Sequence, residues 1–519
     1  MQTSWTPRRA VIALAATQIV LWTLVPFLTH HTMPLDVVRE GLAWGVEWQW
    51  GYHKHPPLAT WLVDAAFRLL GDLGPYLLAQ VAIATTYAFV FLLGRRLMGE
   101  SKAAVGTLLL VGVYYFSWPT PEFNHNVAQM PFWAAASYLF HRAIREDRLI
   151  SWMALGAVAG AGLLVKYSMA VLLVAMALYL LGSAGTRRLL LSPRLYVGLA
   201  AVGAVLLPHL MWLVANDFAP FGYLEGRAAT AASPIVTRIV EPLGFLLAQA
   251  ADHLPMVALL ALAGLIGKGA LSTHPSGDQA SGEDRRFLMT LALGPALLTA
   301  LAALLGGFGL RDMWGAPMFN LSGLLAVHLL AGRVEALRVR RFAVSVAGLL
   351  VLLPLVYGIV SLFGASLTGR PKRIDWPDRV LASALERVWR ERTGCPLRIV
   401  AGDSWLAGLV SLRASGRPAV VLDGEPALSP WITPERLRRD GALLVWRIED
   451  GQTGIPSSLA QLGSVEPGDP LTFSWPRAPR VSPLRIGWAV LPPSSCQRVS
   501  ERRGSNASFT TAPSFEKLS

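Results

Sequence analysis

Between Asp36 and His55 the chain gathers acids, cations and imidazoles into its first long polar interruption. Asp36 and Glu40 lie four residues apart, so a helix over residues 36–45, which Val37, Val38, Leu42 and Ala43 allow, carries both carboxylates on one face. Two acids so placed repel. That raises one pKa and equips one member to act as a base near neutral pH. The same spacing also fits a solvated helix face beside Arg39. After Gly51 and Tyr52, His53-Lys54-His55 forms a cationic cluster able to meet a phosphate, and Pro56-Pro57 pre-sets the first turn of a helix.

That helix must hold the cluster in place. Leu58, Trp61, Leu62, Ala65, Ala66 and Leu69 follow the 3.6-residue period, with Thr60, Asp64 and Arg68 as the other stripe. Such a pattern describes an interfacial helix lying on a bilayer.

A bilayer is also what the composition demands. The chain has 519 residues, 53% of them hydrophobic and only 15% charged, with a mean hydropathy of +0.45. This is the balance of a polytopic membrane protein. The net charge of +13 resides in short Lys/Arg clusters between apolar spans, and no nucleic-acid-binding motif accompanies it. Ala10 to Leu35 carries no Asp, Glu, Lys or Arg, follows Arg8 and Arg9, and reads as a retained first span rather than a cleaved signal.

Further apolar stretches run over Pro75–Gly94, Ala103–Pro121, Phe123–Phe140, Leu149–Val165 and Tyr167–Thr186, then over 195–216, 243–267, 287–310, 315–332 and 342–363. Asp252 interrupts the second of these last five, the stretch 243–267. With the first span this predicts about eleven transmembrane helices. Arg8/Arg9, Arg95/Arg96, Arg142/Arg145/Arg148, Arg187/Arg188, Arg285/Arg286 and Arg338/Arg340/Arg341 fall in alternate gaps, which are therefore predicted to be cytoplasmic. The scheme divides Trp152–Leu181 at Lys166, because an ammonium in mid-membrane costs about 2.5 to 3.5 kcal/mol or more. The first loop (30–74), the Pro119–Asn126 bend, Lys166, residues 217–241, Arg311 and the whole C-terminal region then face the periplasmic or lumenal side.

From residue 364 the chain turns Pro-, Arg- and Gly-rich, with the strand-like runs LRIVAG, PAVVLDG, ALLVWRI and IGWAVL and a short helix over Ser404–Ala414. Residues 364–500 are thus expected to form a small extracytoplasmic α/β domain without a phosphate-binding glycine signature. Residues 501–519 read as disordered, and 269–284, on the same compositional grounds, as a flexible cytoplasmic loop. The only cysteines, Cys395 and Cys496, both lie in this region, and in an oxidising compartment they are expected to form a disulfide. Two cysteines exclude a cysteine-built metal cluster, and the scattered histidines show no metal-ligand spacing.

Asp36 just after the first span, Pro56-Pro57-Leu58 opening a juxtamembrane helix with Trp61-Leu62, and the Leu164-Val165-Lys166-Tyr167 break resemble the GT-C glycosyltransferases of family 39. That family includes protein O-mannosyltransferases and lipid A aminoarabinose transferases. More narrowly, PEFNHN at 121–126, HLMWLVANDFAPFGYL at 209–224 and RDMWGAPMF at 311–319 look like bacterial members, some of them galacturonosyl-type transferases for lipopolysaccharide. The resemblance implies a GT-C-like catalytic module over residues 1–363. It also implies transfer of a sugar from a polyprenyl phosphate to an extracytoplasmic acceptor, a glycolipid such as lipid A or lipopolysaccharide, or a protein. The chain would sit in a bacterial inner membrane. Aminoarabinose-transferase-type members have adjacent acids in the first loop and a Lys directly before Pro-Pro, whereas Val37 follows Asp36 and His55 precedes Pro56 here.

On this reading Asp36 is the base and Glu40 its support, while Lys54, His55, Lys166 and Arg311 are candidates to neutralise the donor phosphate. Tyr52, His53, Glu122, Asn124, His125, Tyr167 and Asp217 are candidates for substrate contacts. Blander roles compete for several of them. Asn124 and its neighbours fit helix capping, Lys166-Tyr167 a snorkelling anchor, His209 and Trp212 a packing pair, and Arg311-Asp312 a self-contained ion pair. No cofactor is read from the residues, and a need for a divalent cation is left open. The rival class is a secondary transporter or lipid flippase, which calls for mid-membrane charges and internal repeats; most polar residues here gather at one predicted surface. The sidedness is tested by reporter fusions: a fusion at residue 420 should give an extracytoplasmic signal, and a cytoplasmic one there would undo the assignment.

Overall fold

In a computed structural model the protein is described over residues 6–222, 235–266, 282–330, 337–449 and 454–494. It divides into two compact units. One comprises residues 1–41 and 48–367, the other residues 42–47 and 368–519.

The first unit is helical. Among the described residues six helices are long and apolar enough to cross a membrane: Pro7–Thr29, Leu73–Met98, Pro193–Ala215, Arg238–Leu262, Gly282–Gly306 and Val339–Thr368. A seventh span arises if Met169–Leu181 and Ala184–Leu191, bent by 112°, count as one. These account for the expected stretches at 10–35, 75–94, 167–186, 195–216, 243–267, 287–310 and 342–363. The remaining expected spans differ. Residues 103–121 form the helix Glu100–Leu109 followed by two 3-10 turns, Leu110–Gly112 and Tyr114–Phe116. Leu149–Val165 has 17 residues, and 315–332 holds only the 8-residue helix Ser322–Leu329. His125–Glu146 is 22 residues long but carries His125, Asn126, Gln129 and His141 among its buried positions. Hydropathy counts apolar stretches; it does not see that some of them are short pieces covered by neighbouring helices.

Polar contacts tie the helices together. Gln18 Nε2 donates to Gln80 Oε1 at 3.0 Å and to the Phe116 carbonyl at 3.1 Å. The His30 ring joins the hydroxyls of Tyr76 at 3.0 Å and Tyr357 at 2.9 Å. Leu149–Val165 and Pro193–Ala215 approach so closely at Gly156 that a Cβ there would stand 2.0 Å from the Gly198 carbonyl oxygen. Small residues permit this kind of backbone contact between spans.

The first loop departs from a regular helix. Val37–Leu42 is a π-helical turn, a wider winding that occurs mostly at functional sites. After it, Leu58–Leu70 forms with Pro57 as its N-cap. Its polar stripe turns inward: Thr60 and Asp64 are buried, while Leu69 and Leu70 are exposed. Thr60 Oγ1 donates to the Glu40 carbonyl at 3.0 Å. Asp64 Oδ2 accepts from Trp48 Nε1 at 2.8 Å and Arg68 Nε at 2.6 Å.

The second unit has a five-stranded sheet. Its strands are β1 (Ile399–Gly402), β2 (Ala419–Leu422), β3 (Ala442–Arg447), β4 (Leu471–Phe473) and β5 (Leu484–Leu491), in the order β2-β1-β3-β5-β4. β1 pairs parallel with β2 and β3, and β5 antiparallel with β3 and β4. Every residue of β1 and β2 is buried, as parallel strands require. Ser404–Arg413 makes the crossover, capped by Asp403, whose carboxylate accepts from the Trp405 and Leu406 amides. The same unit holds residues 42–47 through Arg417, which donates to the Leu42 carbonyl at 2.9 Å, and Arg436, paired with Glu47 at 2.6 Å.

Cys395 is disulfide-bonded; Cys496, its expected partner, lies outside the described residues, as do 501–519 and 269–281. Gly282–Asp284, read as loop, open the helix Gly282–Gly306. Within the domain Arg413 Nε meets Asp378 Oδ2 at 2.6 Å, with the Asp378 side chain fully buried and that of Arg413 9% exposed. Removing one partner of such a pair costs about 3–5 kcal/mol. Asp378→Asn in the full-length chain should speed limited proteolysis beyond residue 368 while fragments of the helical unit persist. Cleavage at the wild-type rate would refute that.

Candidate active site

Glu40 is the centre of the polar cluster. Its side chain is only 7% exposed, so its charge needs compensation from protein groups. One oxygen, Oε1, takes Lys54 Nζ and, at 3.2 Å, Arg39 Nη2. The other, Oε2, faces His125 Nδ1 at 3.4 Å and His55 Nε2 at 3.8 Å. Burial alone would push its pKa up, but the His125 hydrogen bond and the charges of His55 and Lys54 outweigh it and hold Glu40 well below the usual carboxylate range.

Asp36 behaves oppositely. The same guanidinium that reaches Glu40 also binds Asp36 Oδ1, at 2.8 Å, so the two acids share a face as the spacing predicted, across a π turn rather than an α turn. Burial first, then the Glu40 charge, raise the Asp36 pKa above its ordinary value. The Asp36 amide donates to Glu122 Oε1 at 2.7 Å. Burial and the Asp36 charge push Glu122 up to about 7. Sequence reading placed Glu122 among sugar contacts; its tie to the Asp36 backbone, across 86 residues, carried no sequence signal.

The Pro119–Asn126 bend is set by capping. Asn124 Oδ1 accepts from the Asn126 and Val127 amides at 2.9 and 3.1 Å, which starts the helix at His125 and swings that ring onto Glu40. Asn124 therefore does the capping job. Asn126 Oδ1 accepts from Lys166 Nζ at 2.6 Å, and the Lys166 carbonyl accepts from Gln129 Nε2 at 2.8 Å. Lys166 stands at the expected break, between Leu149–Val165 and Met169–Leu181. Burial brings its pKa down to about 8, against the pull of Glu40. Arg311 is exposed, and its charge acts on Lys166.

The other candidates are more dispersed. Tyr52 is fully buried and its amide donates to the His55 carbonyl at 3.0 Å; this closes the turn that presents Lys54 and His55. His53 is half-buried. The Tyr167 hydroxyl meets His209 Nε2 at 2.9 Å, and His209 Nδ1 the Trp50 carbonyl at 2.6 Å. His209 also stacks on Trp212, with centroids 6.0 Å apart, as the packing-pair reading had it. Asp217 is exposed, in a left-handed conformation with φ 49°, and makes no part of the Glu40 cluster.

Residues 54–212 match the family model for dolichyl-phosphate-mannose-protein mannosyltransferase. The chain is 28% identical over 463 residues to the lipopolysaccharide core galacturonosyltransferase RgtB of Rhizobium johnstonii, covering 87% of this chain and 90% of that protein. It is 27% identical over 228 residues to the undecaprenyl phosphate-α-4-amino-4-deoxy-L-arabinose arabinosyl transferase of Pseudomonas aeruginosa, covering 40% of this chain and 41% of that one. The fold is similar to that of ArnT from Cupriavidus metallidurans in a crystal structure bound to undecaprenyl phosphate. That match has a TM-score of 0.60 and 15% identity, over 92% of this chain and 97% of the other.

The Lys54–Glu40 pair can be tested by stability. Lys54→Met leaves a buried carboxylate short of its nearest cation and should destabilise the protein by up to about 3 kcal/mol. Adding Glu40→Gln should recover part of that loss. Additive effects in thermal unfolding of the two single variants and the double variant would rule out the coupling.

Proposed function

We propose that this chain, a membrane glycosyltransferase of the GT-C type, takes its sugar from a polyprenyl-phosphate donor and places it on a hydroxyl of a lipopolysaccharide core, with a hexuronic acid as the sugar. The site would face the periplasm from the inner membrane, and the domain beyond Leu367 would share that side. The observation that carries the reaction is the meeting of a raised-pKa acid pair, Asp36 and Glu122, with the cations Arg39 and Lys54 on Glu40 and Lys166 within reach of its charge. Acid–base work and leaving-group stabilisation are the two demands of glycosyl transfer from a phosphate. The similarity to galacturonosyltransferases along most of the chain supports the sugar and the acceptor, and a surplus of cations suits a donor that brings both a phosphate and a carboxylate.

In the proposed step the acceptor hydroxyl gives its proton to Asp36 and its oxygen attacks C1 of the donor sugar. The bond from C1 to the phosphate oxygen breaks, and its electron pair leaves on the polyprenyl phosphate. Lys54 and Lys166 neutralise that charge, with Arg311 at the open side. Cations preset in a partly desolvated site do this without reorganising at the moment of reaction. Glu40 stays ionised and orders the cations. Glu122, with its pKa at about 7, shares the proton load with Asp36.

The working base must be unprotonated, so turnover should fall as pH drops through the range in which Asp36 and Glu122 take up protons. Glu122→Gln removes a negative neighbour, lowers the Asp36 pKa and should move the acid limb to lower pH. Asp36→Asn keeps the shape but not the basicity, and should lose roughly 10²- to 10⁴-fold in rate, with Glu40→Gln impaired less. Turnover of a lipid-linked hexuronate by purified variants reads all three, and near-normal turnover by Asp36→Asn would remove Asp36 as the base. Loss of a hexuronate from the lipopolysaccharide core in cells lacking the chain tests the acceptor.

A further inference from the structure

We propose that Glu40, His55 and His125 form a binding site for one divalent metal ion of the zinc type, held by Glu40 Oε2, His55 Nε2 and His125 Nδ1, with a coordination position left open. The three side chains come from the π turn, from the loop before Pro56 and from the first residue of the helix His125–Glu146. Their ligand atoms all lie within 4.8 Å of one another. The edge of a zinc tetrahedron with bonds of about 2.0–2.1 Å is about 3.3–3.4 Å. His125 Nδ1 already stands 3.4 Å from Glu40 Oε2, and His55 Nε2 stands 3.8 Å from it, so the edge to His55 closes by about 0.4 Å, and the edge between the two imidazole nitrogens from at most 4.8 Å, to complete the set. The two imidazoles lie with centroids 4.0 Å apart and their planes tilted by 35°.

The support around the ligands is that of a built site. Glu40 is fixed from behind by Thr60 on its carbonyl, His55 by the Tyr52 amide on its carbonyl, and His125 by the Asn124 cap beside it. Glu40 Oε1, which would not bind the ion, is occupied by Lys54 and Arg39, the outer contact that a ligating carboxylate commonly has. Two imidazoles and one carboxylate with an open position are the donor set of catalytic rather than structural zinc sites. Lys54 and Lys166 nearby disfavour a second positive charge. A phosphate oxygen in the open position offsets them, so inorganic phosphate should tighten metal binding. What the ion does for a leaving phosphate rests on the reaction proposed above; the binding does not.

The test uses full-length, tag-free protein in detergent, stripped with chelator and titrated with Co²⁺, then with Zn²⁺ as competitor. The expected result is one Co²⁺ per chain with the intense visible absorption of a low-coordinate site, displaced by Zn²⁺ and bound more tightly with inorganic phosphate. His55→Ala and His125→Ala should each weaken binding by about 100-fold or more, with elution volume and circular dichroism as checks on folding, and His53→Ala should leave it intact. Wild-type protein that takes up no stoichiometric Co²⁺ or Zn²⁺ overturns the site whatever the variants do. So does uptake that a folded His55→Ala/His125→Ala double variant retains. Because metal content is read without turnover, a failure of the transfer reaction leaves this result standing.

Discussion

An ionised carboxylate removed from water must be surrounded by donors, and Glu40 imposes that constraint on everything near it. It draws in Lys54, Arg39, His55 and His125 from separate parts of the chain. The backbone devices around it then become intelligible: Pro56-Pro57 after the cationic turn, Asn124 at a helix start, and a break at Lys166. A mutually satisfied cluster of this kind is rigid, and rigidity is what charge stabilisation at a leaving group requires. It also sets the acids apart. Ionised Glu40 holds a fixed negative charge, and that charge helps raise the pKa of Asp36 next to it.

Much of this was legible in the sequence, wherever the determinant was local. The i, i+4 spacing put Asp36 and Glu40 on one face, Pro57 marked the helix at Leu58, the lone charge at Lys166 marked a break, and short strand-like runs located four of the five strands. The determinants that escaped were distant or geometric. His125 reaches Glu40 from 85 positions away, and neither residue's neighbours announce it. The stripe Thr60–Asp64 could be seen as a stripe, but not that it faces Glu40 and Trp48 rather than solvent. Strand β4 is three residues long, too short for a period to show.

The short apolar segments deserve the same physical reading. Glu100–Leu109 and Ser322–Leu329 are too short to span a bilayer alone at 1.5 Å per residue, and Leu149–Val165, with 17 residues, stands at the lower limit. Covered by longer helices, they can end inside the protein and expose backbone and side-chain polar groups there. Lys166 sits at one such end, with its carbonyl and its ammonium both engaged. Where a chain stops short of the far surface, it frees polar groups for use at that depth, provided a protein wall separates them from lipid.

The π turn at Val37–Leu42 has a consequence for how this stretch can vary. Each residue of an ordinary helix advances the side-chain direction by about 100°. Deleting Val37 or Val38 would let the winding relax and rotate one carboxylate by roughly that angle relative to the other. Arg39 could then no longer bridge both. The length of this segment is thus constrained more tightly than the identity of its apolar members: Val37 or Val38 could be exchanged for residues of similar volume, but a shortened chain would have to recruit its second acid from a different position.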